Sequence, residues 1–178
     1  MEITITINGK PVQATVDDAV IREAMGEKKP EKKTGYERNY GGQYYYQTTD
    51  GYVDSDINDT SHPADDRRYQ TGNYYSSEKV AKDNARADKL MRNLRRFAAE
   101  HGGCVAPAKA ARPHQGDAAS IYYRDGGLSA ARSDGLPDAG NIWFASIDAA
   151  DDAIKAFRGE LIWYFTEYDP MPEGWWDE

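Results

Sequence analysis

Thiol and imidazole groups are scarce in this 178-residue sequence, which contains one cysteine and three histidines. Cys104 alone cannot form an intrachain disulfide or a zinc site with several thiolates, and a single thiol fits a reducing compartment. His62, His101 and His114 are too scattered for a metal triad, and no nucleophile elbow or phosphate-binding loop pattern is present. We therefore expect neither an enzyme nor a bound cofactor.

Long apolar runs are absent too. No stretch of about 18 apolar residues is available to span a bilayer. The first residues, MEITITINGKPV, contain neither the basic region nor the apolar core of a signal peptide. The pattern predicts a cytoplasmic protein without a membrane partner.

Charge is distributed unevenly along the chain. The net charge of −8 and the pI near 4.9 argue against a general attraction to nucleic acid, because phosphate binding depends on Lys and Arg. Residues 41–75 contain six acids and two bases, and residues 146–178 contain nine acids and two bases. Residues 76–103, by contrast, contain seven bases and four acids. Two acidic zones therefore flank one basic segment.

Residues 1–26 have the pattern of a small β-hairpin followed by a short helix. Isoleucine alternates with threonine in ITITI before Asn8-Gly9, a pair that suits the positive φ angles of a type I′ turn. A short capped helix is predicted to follow and to end at Gly26. Two strands bury little surface alone, so this piece should pack on the main body, on a second copy in a homo-oligomer, or on another partner. Residues 27–35, EKKPEKKTG, predict a linker.

The main domain, residues 36–178, begins with an aromatic hairpin. In QYYYQTTDGYVDS, alternation places Tyr44 and Tyr46 on one face and Tyr45 on the other, and Asp50-Gly51 forms the turn. Nine of the thirteen tyrosines lie between positions 36 and 75. Aromatic strands packed under helices would explain this enrichment, and a tyrosine-rich contact surface is the alternative.

An acidic loop, DSDINDTSHPADD, and the segment GNYYSSEKVA follow this hairpin. Ser76 is predicted to cap a long amphipathic helix that stops at Gly102-Gly103. Residues 104–119 contain two prolines and no periodicity, which predicts a loop. A fainter copy follows as SIYYRDGGLSAARS and GNIWFAS, with Ser146 as the helix cap and Gly159 as an expected interruption.

The two copies, about residues 36–103 and 118–168, predict an α+β fold. Two related hairpin-plus-helix units would form a mostly antiparallel sheet covered by helices. Chance likeness between two turn, strand and helix segments is the alternative.

Asp54, Asp56, Asn58 and Asp65 occupy positions 1, 3, 5 and 12 of a calcium-loop pattern. The pattern is imperfect, because position 6 is Asp59 where glycine is required and position 12 is not glutamate. A solvated acidic loop is the alternative interpretation.

Basic residues follow one face of the predicted long helix. They are Lys79, Lys82, Arg86, Lys89 and Arg96, at spacings of three, four, three and seven residues. Salt links with Asp83 and Asp88 would make this an ordinary solvated face. A phosphate track for duplex DNA is the alternative.

Acidic side chains form two candidate rows for binding a cationic groove. The rows are Asp54, Asp56, Asp59, Asp65 and Asp66, and Asp169, Glu173, Asp177 and Glu178. Rows of carboxylates can occupy a groove that normally binds nucleic acid, with the gain coming from charge complementarity and steering. A plain solubilising surface would carry the same charges.

The stretch from TGYERNYGGQYYYQTTDGYVDS to RYQTGNYYSSEKVAKDNARADKLMRNLRRFAAEHG resembles small accessory proteins of bacterial phages and mobile elements. The shared pattern is an aromatic hairpin with a DG turn, then RYxxGN, an aromatic residue and a capped helix. Asp50-Gly51, Arg68-Tyr69 and Gly72-Asn73 match it as structural positions. The likeness covers about residues 35–102 and, more faintly, 120–168. The sequence is also similar to type II-A anti-CRISPR proteins of gut bacteria.

That resemblance implies a role in the cytoplasm of a host bacterium. The implied function is a non-enzymatic inhibitor that binds the nuclease Cas9 and blocks engagement or cleavage of target DNA. A nucleic-acid-binding accessory or regulatory protein that uses the basic helix face is the alternative. The resemblance supplies no catalytic residue.

Overall fold

The computed structural model describes residues 2–7, 9–15, 33–58, 62–105, 118–132 and 142–172. Its contacts divide the chain into two units, Met1–Lys33 and Thr34–Glu178. In the first unit, β1 (Glu2–Ile7) pairs antiparallel with β2 (Lys10–Thr15), and Gly9 has a φ of 79°. The expected N-terminal hairpin is therefore confirmed. The predicted helix ending at Gly26 and most of the predicted linker lie outside the described residues.

The described residues of the second unit form three helices and two antiparallel sheets, which confirms the α+β class. Its elements are β3 (Gln43–Gln47), β4 (Val53–Ile57), α1 (Pro63–Gln70), α2 (Glu78–Glu100), β5 (Cys104–Val105), β6 (Ala119–Arg124), β7 (Gly127–Arg132), β8 (Trp143–Phe144) and α3 (Ile147–Thr166).

The aromatic hairpin forms as its alternation predicts. Strands β3 and β4 pair antiparallel around a turn in which Gly51 has a φ of 87°. Tyr44 is fully buried and its ring lies 6.0 Å from that of Tyr46. On the opposite face, Tyr45 packs with Tyr75, whose backbone exchanges two hydrogen bonds with that of Tyr45. The two faces of the hairpin therefore contact different residues: Tyr44 contacts Tyr46 on one face, and Tyr45 contacts Tyr75 on the other.

Helix α1 replaces part of the expected acidic loop. Pro63 lies at its start, His62 caps it by accepting from Ala64 N at 3.3 Å, and Asp65 and Asp66 lie in its first turn. These start signals favour a helix through capping and the helix dipole. The interpretation as a loop was wrong because the segment PADDRRYQ lacks the apolar stripe by which a helix is normally recognised.

The long helix α2 begins one residue later than predicted, with Ser77 as its cap. Ser77 Oγ accepts from Val80 N at 3.4 Å. Ser76 instead has long-range partners, because its N–H donates to Gly35 O at 2.7 Å and its hydroxyl donates to Glu37 at 2.8 Å. Tertiary contacts therefore occupy Ser76, and Ser77 caps the helix in its place.

The second copy contains the hairpin β6–β7, the short strand β8 and the helix α3. Strand β5 pairs with β8, so the expected loop at 104–119 is interrupted by strand at both ends. Ser146 caps α3 as predicted, accepting from Ala149 N at 3.1 Å. The backbone leaves helical values at Phe157, two residues before Gly159, and the helix continues beyond this kink.

The two copies share a hairpin, a pairing segment and a capped helix in this order, with α1 between the hairpin and the segment of the first copy, but they belong to separate sheets. In each, a hairpin is followed by a short segment that pairs antiparallel with the first hairpin strand, and then by a serine-capped helix. β3 and β4 form their own two-stranded sheet, whereas the other sheet has the order β5-β8-β6-β7. Helices α2 and α3 share the main core with this larger sheet.

Candidate functional site

One acid of the aromatic hairpin and one acid of α1 face the same guanidinium group, which belongs to α1. Arg68 Nη1 lies 3.1 Å from Asp56 Oδ2 and 3.8 Å from Asp65 Oδ1, and its guanidinium carbon lies 3.5 Å from the centroid of the Tyr46 ring. The Tyr44 hydroxyl donates to Asp65 Oδ1 at 2.6 Å and accepts from Arg68 Nη1. These five residues, named here the Arg68 cluster, join α1 to the hairpin.

Burial and hydrogen bonding within the Arg68 cluster shift the pKa values of Tyr44 and Asp56. Burial raises the pKa of Tyr44 to about 12, and the hydrogen bond to Asp65 adds to this effect. The hydrogen bond from Arg68 lowers the pKa of Asp56, and the Ile57 N–H reinforces it. At neutral pH, Tyr44 is therefore a neutral donor and Asp56 an anion.

Arg68 pairs with two acids of the calcium-like pattern, Asp56 and Asp65. Among the described residues, no group of three His, Cys, Asp or Glu side chains is arranged to hold a metal ion. Asp65 is 2% exposed, so its assignment to an exposed acidic row was wrong. A buried carboxylate needs a nearby partner, and α1 supplies one three residues further along. Asp59 lies outside the described residues.

Asp54 and Asp56 are exposed, and both bind the outer edge of β4. In an antiparallel pair, alternate residues direct their N–H groups away from the partner strand. Asn58 N donates to Gly42 O across the hairpin, so Ser55 and Ile57 direct their N–H groups outward. Asp54 Oδ1 accepts from Ser55 N at 2.8 Å, and Asp56 Oδ1 accepts from Ile57 N at 2.9 Å. The two carboxylates therefore cover this edge.

An exposed aromatic patch lies on the adjacent face of α1. It consists of Arg38, Tyr40, Asp66 and Tyr69. Arg38 forms an ion pair with Asp66 and lies 4.9 Å from the Tyr40 ring centroid and 5.4 Å from that of Tyr69. The two tyrosines are 63% and 44% exposed. The sequence hinted at this patch only through its tyrosine density, because nothing local pairs Arg38 with α1.

The second acidic row is described at one position. Asp169 is half-buried, and its Oδ1 accepts from Met171 N at 2.9 Å. Glu173, Asp177 and Glu178 lie outside the described residues. Of this row, the structure therefore describes only Asp169.

All five predicted basic residues lie exposed on α2, and three of them form ion pairs with carboxylates. Lys82 Nζ lies 2.6 Å from Glu78, and Lys79 Nζ lies 2.9 Å from Asp83. Arg86 Nε lies 2.8 Å from Glu160 on α3, and its guanidinium covers the Trp163 ring at 3.9 Å.

The C-terminal half of α2, residues 89–100, contains four cations and one acid. Its cations are Lys89, Arg92, Arg95 and Arg96, all exposed. Within the described part of the chain, none of the four forms an ion pair. The sequence pattern omitted Arg92 and Arg95 because they lie to one side of the predicted stripe.

No described helix combines the length and the hydropathy needed to cross a membrane. The chain matches no family model, and comparisons with curated proteins and with solved structures likewise gave no match.

Proposed function

We propose that this protein is a non-enzymatic inhibitor that binds a bacterial defence nuclease, with Cas9 as the leading candidate target. It would act in the cytoplasm of the host bacterium by blocking engagement or cleavage of target DNA. The exposed aromatic patch is the single observation that most supports binding to another protein.

The composition of the patch is typical of an interface centre. Tyrosine and arginine are enriched there because they offer a large contact area together with polar tips. Arg38 is already positioned by Asp66 and by the two tyrosine rings. A partner would therefore lose little side-chain entropy when it immobilises this arginine.

The charge around the patch favours a cationic target. Residues 41–75 have a surplus of acids, and Asp54, Asp56 and Asp66 are solvent-accessible on the hairpin and α1. Arg38 and Arg68 neutralise part of this charge, so the carboxylates would contribute steering more than affinity. The nucleic-acid channel of Cas9 is a positively charged target of the required kind.

The alternative function, duplex binding through the predicted basic face, has less support. Lys79, Lys82 and Arg86 each have a carboxylate partner, so fewer cations remain to displace counterions from DNA.

The decisive experiment is a pull-down of the full chain with guide-loaded Cas9, combined with target cleavage at low and high salt. We expect binding, loss of cleavage, and weaker binding at high salt. Tyr40→Ala should reduce binding at least tenfold, since it removes an exposed anchor without disturbing the core. Tyr122→Ala, which removes an exposed tyrosine from β6, is the matched control.

Two results would contradict the proposal. Normal cleavage with no binding would exclude Cas9 as the target. Inhibition that is equally reduced by Tyr40→Ala and Tyr122→Ala would show that the aromatic patch has no special role.

A further inference from the structure

A band of cations and aromatic rings crosses α2 between the hairpin turn and the end of α3. At one side, Arg92 Nη2 lies beside Gly51 in the hairpin turn, 3.6 Å from the position that a Cβ atom on Gly51 would occupy. Tyr52, which follows Gly51 in the chain, is 71% exposed. At the other side, Arg95 and Phe165 line a common groove. Phe165 is 39% exposed and its ring is stacked 6.1 Å from that of Tyr123.

The groove has an apolar floor and a polar rim. Its volume is about 250 Å³, with Met91, Ile121 and Leu161 among the residues that line it. This is below the roughly 300–1,000 Å³ of pockets for drug-sized ligands, so the groove suits one planar ring. Asp88 also lies on the rim, where Gln47 Nε2 donates to its carboxylate at 3.1 Å.

Three further cations lie on the exposed side of α2. Lys89, Arg92 and Arg96 are spaced three and four residues apart, and none of them forms an ion pair among the described residues. Lys89 also lines a second pocket, which contains Glu160. At a rise of about 1.5 Å per residue, the three cations span about 10 Å, which corresponds to about three stacked nucleotides. A locally positive surface thus adjoins exposed rings and an apolar groove.

We propose that this band binds single-stranded nucleic acid. The phosphates would contact Lys89, Arg92 and Arg96, and one unpaired base would stack on Phe165 in the groove beside Arg95. Cationic tracks combined with aromatic stacking platforms are the usual chemistry of single-strand binding. A duplex keeps its bases stacked and cannot use the groove. This activity is independent of nuclease inhibition.

The test is fluorescence anisotropy of the full chain with three labelled probes: oligothymidylate, oligouridylate, and a DNA duplex of equal length. We expect saturable, salt-sensitive binding to the single strands and weaker binding to the duplex. The DNA and RNA arms show which single strand is preferred. Arg92→Glu with Arg95→Glu should weaken single-strand binding at least tenfold.

The matched control is Lys79→Glu with Lys82→Glu, which changes the net charge equally at the paired end of the same helix. It should have a much smaller effect. Phe165→Ala should weaken single-strand binding about tenfold and leave the salt dependence unchanged, because it removes stacking and no charge. If circular dichroism shows that the glutamate pair misfolds, Arg92→Gln with Arg95→Gln replaces it.

Three results would overturn the proposal. These are no single-strand binding by the natural chain, equal losses in the two charge-reversal pairs, or a Phe165→Ala variant with unchanged affinity. None of them bears on inhibition of Cas9, which is measured separately.

Discussion

Arg68 lies over the ring of Tyr46, with its guanidinium carbon 3.5 Å from the ring centroid and its Nη1 atom 3.1 Å from Asp56 Oδ2. The same guanidinium lies 3.8 Å from the buried Asp65. One side chain from α1 therefore serves as counterion for an acid on β4 and for an acid on its own helix. Together with the pairing of Asp66 to Arg38, this means that Asp56, Asp65 and Asp66 all have a cationic partner within the second unit.

Arg68→Met is expected to lower the free energy of unfolding by about 2 kcal/mol. Asp65 would stay buried without this cation, and removing one partner of a buried ion pair is strongly destabilising. Urea denaturation measures the loss. Arg67→Met is the control, since Arg67 is the exposed neighbour and should change stability by less than about 0.5 kcal/mol. Equal effects of the two substitutions would contradict the role of Arg68.

Glu37 is expected to make the fold sensitive to acid. Burial raises the pKa of Glu37, but hydrogen bonds from Thr34, from Ser76 and from backbone N–H groups outweigh burial and lower it to about 2. A folded pKa below the unfolded value stabilises the protein above about pH 4.5, and this stabilisation is lost as the pH falls through about 2.

We expect about 2 kcal/mol of stability at neutral pH to depend on this carboxylate. Urea midpoints between pH 7 and pH 2 measure it. Glu37→Gln should be less stable at pH 7 and should show a shallower loss in acid. Parallel curves for the two proteins would refute the prediction.

Asp54→Ala with Asp56→Ala is expected to promote self-association. The substitutions uncover the outward N–H groups of Ser55 and Ile57, and an unprotected strand edge is a template for pairing with another chain. Light scattering should show a mass that rises with concentration. Asp50→Ala, in the exposed hairpin turn, is the control and should leave the mass unchanged. A constant mass for the double variant would argue against edge protection.

Arg86 and Glu160 are expected to couple weakly. Both side chains are nearly half exposed, so solvent and salt screen their attraction. A double-mutant cycle with alanine should give a coupling of about 0.5–1 kcal/mol that decreases at high salt. Arg86→Ala alone should cost more than this coupling, because the guanidinium also covers Trp163. A coupling above about 2 kcal/mol would contradict the screening argument.

Local signals sufficed for much of the fold. The glycine turns of the β1–β2 and β3–β4 hairpins, the amphipathic stripe of α2 and the Ser146 cap of α3 were all recognisable, because turns, periodicity and caps act within a few residues. Helix α1 escaped recognition because it is stabilised by contacts with Arg38 and the hairpin and has no apolar stripe.

The candidate surfaces could be predicted less well. The sequence showed which residues are acidic, basic or aromatic, and it placed the basic stripe correctly on one helix. It could not show that Asp65 is buried, that Arg86 is paired, or that Arg95 and Phe165 share a groove. Each of these facts joins positions on different elements, and charge or exposure at one position depends on the element packed against it.

By itself, the sequence determined the hairpins, the two long helices and the α+β class, since backbone preference and hydrophobic period are properties of short segments. Only the tertiary structure decided which charges stay available to a partner. Arg68 and Arg86 form ion pairs with Asp56 and Glu160 through folding, whereas Arg92 and Arg95 form none with the residues that the structure describes. Electrostatic pairing acts across space, so its outcome follows from how α1, α2 and α3 pack.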